Sequence, residues 1–322
     1  MKIYRSLEDV PQDFGPSALT IGNFDGVHYG HRRILRRLKA LADANGWKPS
    51  VLTFDPHPTR VVAPDRTPPL LTAPEERAEL MREEGIEQVL ILPFTPEVAH
   101  LSPADFVTRL VVGALGARAV LVGDNFRYGY RHAGDVTLLA QLGKKLGFAT
   151  EMVPAVSCRG RVVSSSGIRD LIRSGRVELA ARFLLHPYAV EGRVVPGRGI
   201  GSKQTVPTLN LATESEVLPA PGVYITRTRD LEGPGEWNSI TNIGYRPTFG
   251  QSSELSIETF LLDALAGAPP ARIRVCFLKR VREERRFDTP EALRGQILKD
   301  AAAAQRYFRR AKAWTGRACI SC

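Results

Sequence analysis

Hydrophobic and polar positions in the first half of the chain follow two alternating patterns. Short apolar runs, typical of buried strands, are followed by stretches with apolar residues every three or four positions, typical of amphipathic helices. Strands are predicted at 18–21, 50–54, 88–92 and 119–122, and helices at 31–45, 75–85, 103–115 and 135–146. Alternating strands and helices predict a parallel sheet covered on both faces. Ligands of such sheets bind beyond the carboxyl ends of the strands.

The pattern changes near His186 and Pro187. From there, short β-like runs punctuated by Gly and Pro dominate, which predicts a small barrel or a sandwich. These runs are 189–195, 222–226, 239–243, 256–261 and 273–277, and a helix at 290–312 follows them. We therefore predict one domain at 1–185 and a second at 186–322.

Length and composition narrow the class of protein. The 322 residues suggest about two domains. Contents of 43% hydrophobic and 24% charged residues exclude a disordered or fibrous chain. No apolar run approaches the roughly 18 residues that span a bilayer, and the first residues lack the apolar core of a signal peptide. Four cysteines do not make a disulfide scaffold, and we interpret Cys319 and Cys322 as a frayed end rather than a zinc or redox site. A cytoplasmic protein without membrane partners is expected.

The net charge of +10 raises the question of nucleic acid binding. Residues 1–186 hold 24 Lys and Arg against 20 Asp and Glu, and residues 187–322 hold 20 against 14. A nucleic-acid-binding protein usually concentrates its basic residues on one face. The spread excess instead favours a positive field that attracts small polyphosphate substrates. No nucleic acid partner is expected.

The segment 22–31 joins the first strand to the first helix and carries His28 and His31. A helix N-terminus presents free N–H groups and partial positive charge, which suit a phosphate. Gly26 and Gly30 allow a close approach of the backbone, and the histidines can stabilise charge that develops on a transferred phosphate. The alternatives are two surface histidines beside a turn, or a zinc site, for which no nearby residue completes the ligand set.

This segment resembles the HxGH signature of nucleotidylyltransferases. The segments 54–58, 123–129 and 164–169 are similar to motifs of the bacterial bifunctional riboflavin kinase/FAD synthetase family. By itself the serine run at 164–166 would be a plain helix cap. The resemblance implies that His28 and His31 are catalytic and that no covalent intermediate forms. It implies ATP-binding residues Gly22, Phe24, Asp25, Gly30, Ser164, Ser165, Ser166 and Arg169, and flavin-binding residues His57, Pro58, Asn125, Phe126 and Arg127.

The second domain carries a Gly-rich stretch at 192–211. It is not a Walker A loop, because Ser202 precedes Lys203, and it is not GxGxxG, because position 202 is not glycine. The Gly-rich hairpin followed by Pro-Thr-x-Asn resembles the riboflavin kinase domain. That resemblance implies that Thr208 and Asn210 hold Mg²⁺, for which oxygen donors are suitable. The resemblance also implies ATP-phosphate contacts at Thr208 and Asn210, and the Gly-rich hairpin predicts them at Gly197, Gly199 and Gly201. We predict that Lys203 replaces the charge of the family's Arg near the phosphates. The alternative is that Lys203 points to solvent and the backbone amides hold the phosphates alone.

The segments 242–249 and 257–263 continue the order of the family's motifs. By that resemblance Glu258 is the base that accepts the proton of the ribityl hydroxyl. No histidine follows residue 186, so a carboxylate in this role is chemically reasonable. The alternative is a solvated strand glutamate. The family's Arg, second Gly, aromatic residue and Ala are replaced by Ser202, Thr205, Val206 and Leu209, which puts nucleotide affinity in question.

The resemblance covers about residues 16–310. It implies an α/β chain with an N-terminal doubly wound, Rossmann-like nucleotidylyltransferase domain and a C-terminal small β-barrel riboflavin kinase domain that ends in a helix. The implied activities are ATP-dependent phosphorylation of riboflavin to FMN, then adenylylation of FMN to FAD with release of pyrophosphate, each with Mg²⁺. Two alternatives stay open: an enzyme with only the adenylyltransferase active, or a flavin- or nucleic-acid-binding regulator. Homo-oligomerisation is also open.

Overall fold

The structure is a computed structural model that describes residues 1–196, 208–246, 254–265, 267–285 and 287–314. Contacts within the chain divide it into two units, Met1–Ser166 and Gly167–Cys322. The domain boundary predicted between 185 and 186 lies C-terminal to this division and stays a prediction. Within the described ranges, no helix has the length and apolar content to cross a membrane.

Six parallel strands form the main sheet of the first unit. They are β1 Lys2–Tyr4, β2 Ser17–Ile21, β3 Lys48–Asp55, β4 Gln88–Pro93, β5 Ala117–Gly123 and β6 Ala149–Val153. Their order is β1-β4-β3-β2-β5-β6, and every neighbouring pair is parallel. The strand order reverses between β2 and β5, and the crevice beyond the carboxyl ends at such a point is where ligands of doubly wound sheets bind. The predicted parallel sheet is confirmed.

Helices cover both faces of this sheet. The helices of this unit are α1 Tyr29–Asn45, α2 Pro58–Val62, α3 Pro74–Glu83, α4 Pro96–Ala99, α5 Pro103–Asp105 and α6 Val136–Leu146, with a π-helical segment at Phe106–Ala114. A further helix, α7 Ser165–Arg173, contains the division between the two units. Successive side chains of a strand point to opposite faces. Accordingly Val51 packs with Leu35 of α1, whereas its neighbour Leu52 belongs to the cluster that holds Leu110 and Leu139.

Some elements differ from the sequence predictions. The helix predicted at 103–115 is a short α-helical turn followed by the π-helical segment, because apolar residues spaced three and four apart fit either winding. The strands β1 and β6 were not predicted: β1 has only three residues, and β6 mixes polar with apolar positions at the sheet edge. A two-strand hairpin, β7 Ser157–Cys158 with β8 Arg161–Val162, was not predicted either.

The strands of the second unit form a closed antiparallel barrel in the order β10-β13-β12-β11-β14-β9. This decides between the barrel and the sandwich that the sequence left open. The strands are β9 Tyr188–Val195, β10 Thr208–Thr213, β11 Gly222–Asp230, β12 Glu236–Arg246, β13 Glu254–Leu261 and β14 Arg272–Glu283, with helices α8 Val177–Leu184 and α9 Pro290–Trp314.

The interior of the barrel holds a chain of buried hydroxyl groups. Thr226 contacts both Ser239 and Thr241 at 2.8 Å, Ser239 also contacts Thr228 at 2.8 Å, and Thr241 contacts Thr259 at 3.0 Å. Each buried hydroxyl therefore has a partner, which removes the penalty of an unsatisfied polar group. The outer face is apolar where α9 covers it, through Val223, Ile225 and Ile240 against Ala304 and Phe308.

Helix α8 packs against β14 and β9 of this barrel through Val177, Ala180, Phe183 and Leu184, which are all buried. We therefore expect a fragment 167–322 to have a higher melting temperature than a fragment 185–322. A fully buried large apolar side chain contributes about 1.5–3 kcal/mol, so loss of α8 costs several times the thermal energy. Thermal unfolding followed by circular dichroism checks this, and equal melting temperatures would contradict it.

Candidate active sites on the sheet edge and the barrel

The turn between β2 and α1 has an unusual backbone. Phe24 (φ 50°) and Val27 (φ 36°) lie in the left-handed region, as does Gly26 (φ 81°). For a bulky or β-branched residue this conformation costs of order 1–3 kcal/mol, and it persists only when the surroundings enforce it. Both side chains are buried in the core beneath α1, which supplies that enforcement. Such strain clusters at functional sites.

The two histidines of the turn are in direct contact. His28 caps α1, and its Nδ1 accepts a hydrogen bond from the backbone N–H of His31 at 3.3 Å. Their rings stack with centroids 3.6 Å apart and planes 14° from parallel. A Cβ at Gly30 would lie 3.1 Å from Cε1 of His28, so only glycine leaves this ring undisturbed. The structure thus brings His28 and His31 together at the helix N-terminus, as the sequence predicted.

His31 lies in an environment that favours its neutral form. Burial lowers its pKa well below the usual value, and the positive charges that His28 and Arg77 can carry lower it further. Its Nδ1 is buried and has no hydrogen-bond partner among the described residues. The Phe24 ring lies against it with centroids 5.1 Å apart. A neutral imidazole carries one N–H donor and one acceptor, so His31 has hydrogen-bonding capacity left for a ligand.

Asp25 and the serine run hold the turn in place. The carboxylate of Asp25 is 2% exposed and accepts hydrogen bonds from the backbone N–H groups of Leu71 (2.9 Å) and Thr72 (3.1 Å). Ser165 Oγ donates to the backbone oxygen of Asp25 at 2.9 Å. These contacts of Asp25 are with other residues of the turn's surroundings, and its predicted contact with ATP stays a prediction.

Of the other members of the predicted ATP set, Gly22, Ser164 and Ser166 belong to the same unit as these anchors, whereas Arg169 belongs to the second unit. Gly22 directly follows β2, and a Cβ there would lie 3.3 Å from the ring of Phe24. Ser164 and Ser166 are exposed beside Ser165, and Arg169 is buried on α7. The serine run thus lies at the same turn as the histidines.

The predicted flavin residues follow the neighbouring strands. His57 and Pro58 come after β3, and His57 Nε2 lies 2.9 Å from Nδ2 of Asn23 in the β2–α1 turn. Asn125, Phe126 and Arg127 come after β5, with Asn125 and Arg127 exposed. The carboxyl ends of β2, β3 and β5 lie at one edge of the parallel sheet, so the structure gathers all three motifs there.

Two residues at this edge were missed by the sequence analysis. The Tyr128 ring stacks on Phe126 with centroids 5.4 Å apart; burial raises its pKa to about 12, and its hydroxyl has no partner among the described residues. Its place within the motif 123–129 could have pointed to it. Arg77 of α3 is buried beside the turn, but its neighbours Glu75 and Glu76 gave it the pattern of a solvated helix face.

The barrel carries a second group of polar residues. Asn210 of β10, Glu258 of β13 and Asn242 of β12 lie directly opposite one another across three paired strands. Directly opposite side chains lie on the same face with Cβ atoms about 4.5–5.5 Å apart. Their neighbours Thr241 and Thr259 fill the interior, so this row faces outward. Asn242 was not assigned from the sequence, although it opens the motif 242–249.

Thr208 lies two residues before Asn210 and therefore on the same outward face of β10. The oxygen atoms of Thr208, Asn210 and Glu258 form the kind of donor set that suits a hard Mg²⁺ ion. Among the described residues, no group of three or more His, Cys, Asp and Glu is arranged to hold a metal. The predicted phosphate contacts Gly197, Gly199, Gly201 and Lys203 lie outside the described residues.

Both parts of the chain match known families. The FAD synthetase family model matches residues 10–167, and the riboflavin kinase model matches residues 184–308. A solved structure described as a macrolide-efflux protein from Streptococcus pneumoniae shares the fold, with a TM-score of 0.83 over 94% of this chain and 98% of that one at 24% identity.

Curated relatives match over nearly the full length. The bifunctional riboflavin kinase/FMN adenylyltransferase of Pseudomonas fluorescens is 35% identical over 95% of this chain and 97% of its own. The protein of the same name from Escherichia coli (strain K12) is 34% identical over 96% of this chain and 98% of its own. The chain therefore belongs to the family of bifunctional riboflavin kinases/FMN adenylyltransferases.

Proposed function

We propose that the chain makes FMN from riboflavin and ATP on the barrel, and FAD from FMN and ATP at the carboxyl ends of the parallel strands. The observation that carries the proposal is that two family models, one for each reaction, match consecutive parts of the chain. Riboflavin, FMN and ATP are its small-molecule partners, and the cytoplasm is its compartment. We assign the adenylyltransferase to 1–185 and the kinase to 186–322.

At the carboxyl ends of the parallel strands, a phosphate oxygen of FMN attacks the α-phosphorus of ATP. The bond to the departing pyrophosphate breaks, and no covalent intermediate forms. The N-terminus of α1 attracts the ATP phosphates through its N–H groups and partial charge. His28 and His31 donate hydrogen bonds to charge that develops in the transition state. The ATP is held further by Gly22, Phe24, Asp25, Gly30, Ser164, Ser165, Ser166 and Arg169, and the flavin by His57, Pro58, Asn125, Phe126 and Arg127.

On the barrel, the terminal ribityl hydroxyl of riboflavin attacks the γ-phosphorus of ATP, and ADP leaves. Glu258 accepts the hydroxyl proton, which requires a base because an alcohol is a poor nucleophile. Asn242 lies opposite Glu258 in the strand register, which supports a role for Asn242 in orienting the carboxylate. Thr208 and Asn210 would hold Mg²⁺, which neutralises phosphate charge when bound.

The alternative in which only the adenylyltransferase works rested on four replaced positions. Ser202, Thr205 and Val206 lie outside the described residues. Leu209 is 3% exposed and faces the barrel interior, away from the row of Asn210 and Glu258. Both enzyme families match, so neither this alternative nor a regulator is favoured. Incubation with riboflavin, ATP and Mg²⁺, followed by chromatography of FMN and FAD, tests the proposal: formation of neither product would contradict it.

Replacing both His28 and His31 by Ala is expected to stop FAD formation while FMN accumulates. Each transition-state donor contributes about 2.7–4 kcal/mol, so FAD formation should fall by at least 10²-fold. Chromatography of the products measures this, and His100→Ala, at an exposed histidine, is the matched control. FAD formation within a few-fold of the native rate would show that the pair is not catalytic.

Glu258→Gln is expected to lower kcat of riboflavin phosphorylation by about 10²–10⁴-fold with little change in the KM for ATP, because a base acts in the transition state. FAD formation from added FMN should be unaffected. Glu236→Gln makes the same charge change on β12, where Glu236 forms a half-exposed pair with Arg227, and should leave kcat unchanged. An undiminished kcat in Glu258→Gln would remove this residue from the reaction.

A further inference from the structure

Arg77 on α3 is a buried charge that the proposed reactions do not use. It is 3% exposed, and its Nε is buried without a hydrogen-bond partner among the described residues. Burial lowers its pKa, and the nearby carboxylates of Asp25, Asp55 and Glu75 oppose that effect. An arginine in a protein nevertheless stays protonated, and a charge removed from water carries a desolvation penalty. We therefore expect the buried guanidinium of Arg77 to make interactions that offset this desolvation penalty.

The guanidinium of Arg77 connects two threonines that both contact the β2–α1 turn. Its Nη1 donates to Thr53 Oγ1 and its Nη2 to the backbone oxygen of Thr72, each at 3.4 Å. The Thr53 hydroxyl donates to the backbone oxygen of Asn23 at 3.4 Å. The Thr72 hydroxyl donates to the Asp25 carboxylate at 3.3 Å. Arg77 thus supports this turn from β3 and from the segment before α3.

The same charge acts on His31. The charged groups that lower the pKa of His31 are His28, which caps the helix that carries His31, and Arg77 of α3. Only Arg77 carries a permanent charge, since His28 is itself titratable. Among the described residues, the two side-chain hydrogen bonds of Arg77 go to oxygen atoms of uncharged groups. The carboxylates of Asp25, Asp55 and Glu75 lie near the guanidinium but form neither of these bonds.

We propose that Arg77 is a positioning residue of the adenylyl-transfer site, which fixes the β2–α1 turn through Thr53 and Thr72 and keeps a permanent positive charge beside His31. The charge favours neutral His31, which keeps one N–H as a donor for the proposed adenylyl transfer. This inference rests on the roles proposed for His28 and His31.

Two variants of Arg77 separate its charge from its geometry. Arg77→Met keeps much of the volume and removes the charge, whereas Arg77→Lys keeps the charge and loses the planar pair of donors. Arg82→Met is the matched control, because Arg82 is an exposed arginine on the same helix whose partner is Glu79. Riboflavin phosphorylation by the same chain reports whether the second unit is unaffected.

In Arg77→Met, the pKa of His31 should rise, because a positive charge that opposed protonation is gone. NMR titration of the full chain measures it, with the His31 signal assigned by its loss in His31→Gln. FAD formation from FMN should fall on the order of 10²-fold, the cost of a small misplacement of catalytic groups. Riboflavin phosphorylation should not change, and Arg82→Met should behave as the native protein does.

In Arg77→Lys, the pKa of His31 should stay low while FAD formation falls less than in Arg77→Met. An unchanged His31 pKa in Arg77→Met would overturn the proposal, as would FAD formation within twofold of native. If Arg77→Met does not fold by circular dichroism, native FAD formation in Arg77→Lys overturns it instead. Native FAD formation in His31→Gln would refute the proposed role of His31. The effect of Arg77 on the His31 pKa is tested independently, because the titration does not depend on catalysis.

Discussion

The candidate adenylyl-transfer site depends on the hydrogen bonds that hold the β2–α1 turn. Phe24 and Val27 adopt left-handed backbone angles that neither residue prefers. The turn keeps this shape because both side chains are buried beneath α1 and because the buried Asp25 carboxylate is bound by the N–H groups of Leu71 and Thr72. Hydrogen bonds to a charged group contribute about 1.5–3 kcal/mol each, which is comparable with the strain of each residue. The position of His28 at the start of α1 follows from that balance.

The sequence revealed the local parts of this site but not the contacts that complete it. The sequence predicts His28 and His31 beside the start of the first helix, and the structure adds that their rings stack. Arg77 is distant in the sequence and comes close only through the packing of α3. The lowered pKa of His31 therefore depends on tertiary structure, which hydrophobic periodicity does not contain.

In the barrel, too, the sequence pattern indicated strands but not how the strands pair. Short β-like runs punctuated by Gly and Pro predicted five of its six strands and missed β10 Thr208–Thr213. Such runs are common to barrels and sandwiches, so they could not choose between the two. The alignment of Asn210, Glu258 and Asn242 is a matter of register, which depends on which strands pair. The interior holds hydroxyl groups bonded to one another beside buried apolar side chains such as Tyr224 and Phe277, and the row that carries Glu258 faces the opposite way. Substrate chemistry is therefore expected on the outer face.

The two proposed sites use different residues because their nucleophiles differ. The phosphate of FMN is already ionised near neutral pH, so adenylyl transfer needs hydrogen-bond donors rather than a base. A histidine whose pKa lies well below its usual value suits that task, because it stays neutral and keeps one N–H. The ribityl hydroxyl of riboflavin carries a proton that must leave during attack, and a carboxylate such as Glu258 can accept it. The neutral His31 of one unit and the acidic Glu258 of the other thus follow from the protonation state of each nucleophile.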